Sequence, residues 1–253
     1  MNPIYDTKID CLDIDNEQLI IRGKNLCDMI QEYGFTDAIT HTMLNKALNK
    51  KEKRIFEAVL VSFMAGFEIT PPVIYSARHA ASTGVPVTQA LAAGYCASGP
   101  YHTGAVEEAM KFYQEIYKNS RPETLQKYVN DIVEEKLANK ERIFGFGHQV
   151  FKEDPRPKAL RELVSDTNYE SKYIDIYDTV CEKIYEKKGL NPNIDGINSS
   201  LLCSLDFPPE AGTGIFMFSR TIGMLTHILE EKQKPPFDVW YKTVTQKLKN
   251  LYP

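Results

Sequence analysis

Apolar residues recur at helical spacing along most of this chain. Ile39, Met43, Leu44 and Ala47 share one helical face, with Thr36 placed to cap its start. Ile55, Val59, Leu60 and Phe63 continue the pattern in the next segment. The same periodicity predicts further helices over 106–117, 123–137, 159–164, 174–185 and 237–248. Prolines at 71–72, 122, 155, 157, 192, 208–209 and 235–236 fall at helix starts or between helices. Period-two alternation is convincing in one place: residues 9–14 and Gln18–Ile21 flank Asp15-Asn16-Glu17, which predicts a short hairpin. The expected fold class is all-α with a short N-terminal hairpin.

Residues from about 107 to 189 are rich in Lys, Glu and Tyr, whereas 59–97 and 199–229 are smaller and more apolar. That shift predicts a large helical domain from 1–102 and 199–253, a small one from 103–198, and a cleft between them. The most apolar window, 214–229, contains Arg220 and His227 and is too short to span a bilayer, so no membrane association is expected. It reads as a buried helix, too apolar for a monomer surface, and predicts a homodimer.

With 253 residues and 43% apolar positions, the chain is large enough for a real core. The 30 Lys and Arg against 34 Asp and Glu leave a charge of −4, with no basic excess for nucleic acid. An anionic ligand must therefore be held by a few local cations. Cys11, Cys27, Cys96, Cys181 and Cys203 are scattered and odd in number, which argues against a disulfide framework and suits a reducing, cytoplasmic setting. The start of the chain lacks a basic stretch followed by an apolar one, so no signal peptide is expected. The histidines form neither HExxH nor HxH, and no bound metal is expected. His41 and His79 read as surface or capping residues, and His227 as a core histidine.

Three loop-like segments gather Gly, Pro and side chains capable of proton chemistry. They are Ser98-Gly99-Pro100-Tyr101-His102-Thr103-Gly104-Ala105, Gly145-Phe146-Gly147-His148-Gln149-Val150 and Asn193-Ile194-Asp195-Gly196. Each alone is weak: a histidine beside glycines is more often a turn residue, and Asp before Gly is often a cap. Their order, with Asp154-Pro155-Arg156 after the second, resembles the three active-site segments of citrate synthases. The run Phe218-Ser219-Arg220-Thr221-Ile222-Gly223 is similar to the C-terminal arginine helix of that superfamily. Thr70-Pro71-Pro72 and the run from Tyr101 to Met110 most resemble the small stand-alone citryl-CoA lyases, relatives of the lyase module of ATP-citrate lyase.

That resemblance implies a citrate synthase-like two-domain helical fold and chemistry at a thioester α-carbon. Such a carbon is weakly acidic, so the site needs a carboxylate base beside it and a donor on the thioester oxygen. By resemblance Asp195 is the base in condensation and the proton donor in cleavage. His102 hydrogen-bonds the enolate oxygen, and His148 contacts the ketone or tertiary hydroxyl oxygen. Arg156 and Arg220 match positions that bind substrate carboxylates. Lys152 matches a coenzyme A phosphate contact, and Gly145, Phe146 and Gly147 match a backbone stretch that the coenzyme approaches. No permanent cofactor is implied; a coenzyme A thioester and a 2-oxo acid are the expected small-molecule partners. Two positions depart from the pattern. Phe67 stands where a citrate-binding histidine is usual, and Lys234-Pro235 where an Arg-Pro step is usual. Three readings follow: a citryl-CoA lyase-like enzyme, a citrate or methylcitrate synthase that also hydrolyses the thioester, and a non-catalytic binder of coenzyme A esters or a protein partner.

Overall fold

The computed structural model describes residues 7–68 and 70–251. The chain opens with the expected hairpin: β1 (Asp10–Asp13) pairs antiparallel with β2 (Gln18–Ile21), Asp10 opposite Ile21. A third strand, β3 (Lys24–Asn25), was not foreseen. Arg22 and Gly23 at φ 49° and 80° form the two-residue turn that folds β3 back, a geometry matched to strand twist.

Helices then follow one another: α1 (Leu26–Glu32), α2 (Phe35–Leu44), α3 (Lys50–Phe63), α4 (Pro72–Ser82), α5 (Val87–Cys96) and α6 (Ala105–Asn119). After a 3₁₀ turn at Pro122–Thr124 come α7 (Leu125–Ala138), α8 (Pro155–Asp166), α9 (Lys172–Lys188), α10 (Ile194–Ser204) and α11 (Pro209–Glu231). Prolines at 72, 155 and 209 sit in first turns, where a missing N–H costs nothing. Thr36 does not cap α2. Gly34 occupies that place because the Asp37 carboxylate accepts its N–H at 3.2 Å, which leaves Thr36 inside the first turn. The single helix expected over 237–248 is broken into α12 (Asp238–Trp240), a π-helical stretch Tyr241–Thr245 and α13 (Gln246–Leu251). Val239, Thr243, Val244 and Thr245 are β-branched and crowd a regular helix. Thr243 Oγ1 also donates back to the Val239 carbonyl at 2.6 Å.

One continuous apolar core joins α3, α6, α7, α9, α10 and α11, with Phe56, Phe63, Met110, Tyr113, Ile116 and Leu201 fully buried. The Lys/Glu-rich helices turn their apolar stripes into this core and most of their charges outward, while Lys183 of α9 is buried and pairs with Glu134 at 2.9 Å. At its centre is α10, whose polar Asn198, Ser199 and Ser200 are buried. Each makes at least one hydrogen bond: Ser199 Oγ donates to Val106 O at 2.9 Å, Ser200 Oγ to Ile197 O at 2.8 Å and Asn198 Nδ2 to Ser62 Oγ at 2.7 Å, while Asn198 Oδ1 has no partner. A helix held on all sides fixes the position of its N-terminus, and Asp195 sits there.

Candidate active site

The first turn of α10 is set by Asn193. Its Oδ1 accepts the N–H of Asp195 at 3.0 Å, while its Nδ2 donates to Gly147 O at 2.7 Å. The 145–147 stretch runs against 191–193: Asn193 N donates to Gly145 O and Gly147 N to Asn191 O, each at 2.9 Å. Phe146 bridges Pro192 in the same pairing. Gly145 has φ 92°, and a Cβ there would lie 2.6 Å from Gly196 Cα. The fold itself requires glycine at 145. Gly147, at φ 76°, has no backbone neighbour as close.

Asp195 Oδ1 is buried with no hydrogen-bond partner. Burial pushes the carboxyl up to about 6, against the pull of Arg156 and Arg220. An uncompensated polar atom of this kind is costly and concentrates at functional sites.

Both arginines are built into the structure rather than solvated. Arg220 is 2% exposed; its Nε donates to Phe63 O at 2.7 Å and its guanidinium lies 4.8 Å from the Phe216 ring. Burial, then repulsion from Arg156, lowers its pKa to about 10 despite attraction to Asp195. Arg156 grips Asp154 through Nε at 2.9 Å and one terminal nitrogen at 2.8 Å, and rests 4.9 Å above the Phe67 ring. Asp154 is buried and also accepts the backbone N–H of Ile194 at 3.1 Å. Burial alone would raise its pKa, but hydrogen bonds and charge from Arg156 hold it below the usual carboxylate value. One carboxylate thus ties the start of α8, which carries Arg156, to the start of α10, which carries Asp195. Asp154 lay inside the motif quoted from sequence, yet received no role there. The Asp-Pro step, a standard helix start, was the available signal.

His102 sits in a tight turn before α6, where Gly99 and His102 exchange backbone hydrogen bonds of 2.9 Å and Thr103 adopts φ 73°. Its ring meets Phe216 edge-on at 6.5 Å, and Nε2 is buried without a partner. Burial, then the Arg220 charge, lowers its pKa, so the ring is neutral at pH 7. Phe216, which sequence reasoning missed, therefore supports both His102 and Arg220. His102, Arg220, Asp195, Arg156 and Phe67 form one linked neighbourhood.

His148 follows directly on the 145–147 stretch that pairs with 191–193. Its Nδ1 accepts N–H from Val150 and Phe151, each at 3.1 Å, which leaves the ring proton on Nε2 and makes that atom a donor. Among the described residues its ring neighbour is Phe151, stacked at 4.9 Å. Lys152 is exposed on the same loop. Lys234 pairs with Glu230 at 3.0 Å and Glu231 at 3.6 Å. Among the described residues no group of His, Cys, Asp and Glu could hold a metal, and no helix is long and apolar enough to cross a membrane. A cleft of about 700 Å³ between α8 and α9 borders this neighbourhood at Asp154 and Pro192 and is otherwise lined by Glu153, Lys158, Arg161 and Asp178 among others. It lacks the unpartnered buried groups that mark the His102–Asp195 neighbourhood.

The model of the citrate synthase C-terminal domain family matches residues 32–237. The chain belongs to the citrate synthase family. Among curated relatives it is 31% identical over 217 residues to citrate synthase 2 of Bacillus subtilis, covering 84% of this chain but 56% of that protein. Its fold superposes on a citryl-CoA lyase from Hydrogenobacter thermophilus with a TM-score of 0.83 and 32% identity, covering 93% of this chain and 90% of that one. An ATP citrate lyase from Methanothrix soehngenii, solved with citrate and coenzyme A, shares the fold at a TM-score of 0.77 and 22% identity, over 92% of this chain and 39% of that one.

Proposed function

We propose that the protein is a citryl-CoA lyase-like enzyme that breaks, or in reverse forms, the bond between an acyl-CoA α-carbon and the carbonyl carbon of a 2-oxo acid. The observation that carries this reading is Asp195: a carboxyl raised to about 6, with Oδ1 buried and unpartnered, in the field of Arg156 and Arg220, and Arg220 also acts on a neutral His102 whose Nε2 is buried without a partner. In cleavage the tertiary hydroxyl gives up its proton to water as the carbon–carbon bond breaks, yielding the oxo acid and a thioester enolate. His102 Nε2–H stabilises the enolate oxygen, protonated Asp195 delivers its proton to the α-carbon, and solvent reprotonates the carboxylate. His148, with its proton on Nε2, donates to the alkoxide developing on the other fragment. A positioned donor of this kind is worth about 3–4 kcal/mol in the transition state. Arg156 and Arg220 hold the carboxylates, and Lys152 with the 145–147 stretch meets the coenzyme.

The overall likeness to a citryl-CoA lyase over nine-tenths of that chain supports the lyase direction. The relatives named citrate synthases keep synthase-type condensation as the second reading. Division into 1–102 with 199–253 and 103–198 would allow the cleft to close on the thioester. Assembly as a homodimer would cover the outward row Phe218, Ile222 and Leu229 of α11, all exposed in the single chain. The test is product analysis. Incubation with citryl-CoA and more apolar 3-hydroxy-3-carboxyacyl-CoA analogues should release an acyl-CoA and a 2-oxo acid. Release of free coenzyme A instead would establish the synthase reading, and silence across the panel would end both.

A further inference from the structure

Helix α11 runs beside the last turn of α3 and the segment that joins it to α4, touching first one and then the other. Ser219 Oγ donates to Leu60 O, and Arg220 Nε to Phe63 O. At Gly223 the Met64 carbonyl approaches more closely than a side chain would permit. One turn further on, the His227 ring lies 2.7 Å from where a Cβ on Gly66 would be. Positions 220, 223 and 227 share one face of the helix. The next residue in the segment is Phe67, whose ring carries the Arg156 guanidinium. Phe67 and Glu68 have φ values of 48° and 62°, a left-handed backbone that bulky side chains adopt only when their surroundings impose it.

The surroundings that impose it lead back to a buried ion pair. Arg78, 6% exposed, donates through Nε at 3.0 Å and a terminal nitrogen at 2.6 Å to Glu231, itself 1% exposed. Its other terminal nitrogen donates to His227 Nδ1 at 2.7 Å. A guanidinium cannot accept, so this contact fixes both the ring's orientation and its tautomer, with the proton on Nε2. The second Glu231 oxygen accepts the Val239 N–H at 3.1 Å, so the pair is anchored on both sides.

We infer that His227, held by Arg78 and Glu231, is a positioning residue for the oxo-acid end of the site: it props the 64–68 segment and, through Phe67, sets the Arg156 guanidinium. This rests on the reading of Arg156 as a carboxylate-binding group. On the same reading the coenzyme meets a different loop, around 145–152, so losing the prop should split the two substrates. The oxo acid weakens while the thioester does not.

The full-length protein is compared with His227→Ala, His227→Asn, Gly66→Ala and the His227→Ala/Gly66→Ala double variant. The asparagine keeps an acceptor for Arg78, which guards against simple misfolding. Readouts are amide hydrogen exchange over residues 64–68 and the dissociation constants of oxaloacetate and acetyl-CoA. His227→Ala and Gly66→Ala should each speed exchange in that segment and weaken oxaloacetate about tenfold, leaving acetyl-CoA within about twofold. His227→Asn should fold as the parent does while still loosening the segment. In the double variant the new methyl occupies space the ring has vacated, so the two effects should not add. Unchanged exchange in His227→Ala and Gly66→Ala, or strictly additive effects in the double variant, would overturn the prop. If the parent protein binds neither oxaloacetate nor acetyl-CoA, the functional reading fails, and the exchange pattern still decides whether His227 props the segment.

Discussion

Replacing Asp195 with asparagine should stabilise the protein while destroying its activity. The carboxyl is held at about 6 rather than its ordinary 3.8, chiefly because ionising it in a buried place is unfavourable. For an acid with a raised folded-state pKa, the folded state binds the proton more tightly than the unfolded one. Stability is therefore fully retained below pH 4, falls as pH rises from about 4 to about 6, and stays at the lower level above that. The shift of roughly two units corresponds to about 3 kcal/mol at pH 7–8, an upper bound because part of Asp195 still meets solvent. Asparagine keeps the shape and avoids the charge. Denaturant melts of Asp195→Asn and the parent should thus differ by about 1–3 kcal/mol at pH 8, or roughly 3–8 °C in Tm, and converge at pH 4. An asparagine variant equally stable or weaker at pH 8, or a gain independent of pH, would refute the claim that this carboxyl is ionised at a cost.

His102→Ala should abolish turnover while leaving coenzyme A affinity within a few-fold, as measured by calorimetry, because the ring acts on developing charge. Cleavage needs Asp195 protonated and should decline as pH rises through about 6, whereas condensation needs the carboxylate and should rise through the same range; initial rates in both directions check this. Citryl-CoA and oxaloacetate should be used weakly, and a more apolar analogue better. Phe67→His should move the kcat/KM ratio towards the citrate-type substrate, with an added loss from the cation–π contact under Arg156 of about 0.5–1 kcal/mol. Light scattering at micromolar concentration should report a dimer, and Ile222→Glu should shift it towards monomer.

The helices were legible because their apolar faces repeat at 3.6 residues and proline marks several of their starts. The same rule failed at 237–248, where β-branched residues and the Val239 link to Glu231 override the periodicity. His102, Asp195 and Arg156 were legible as members of ordered motifs. Their supports were not, since a carbonyl acceptor leaves no trace in sequence: Arg220 reaches Phe63 O across 157 positions. Phe216 looks like any core aromatic until His102 and Arg220 are both seen against its ring. Phe67 stood out as a missing histidine, yet its place beneath a guanidinium required the fold.

The central claim, that Asp195 moves a proton to and from a thioester α-carbon, is tested most directly by isotope incorporation. In heavy water, the acyl-CoA released by cleavage should carry one deuteron on its α-carbon, detected by mass spectrometry. The Asp195→Asn variant should yield neither deuterated product nor α-proton exchange from acetyl-CoA in the presence of oxaloacetate. Deuterium incorporation by that variant at the parent's rate would contradict the account.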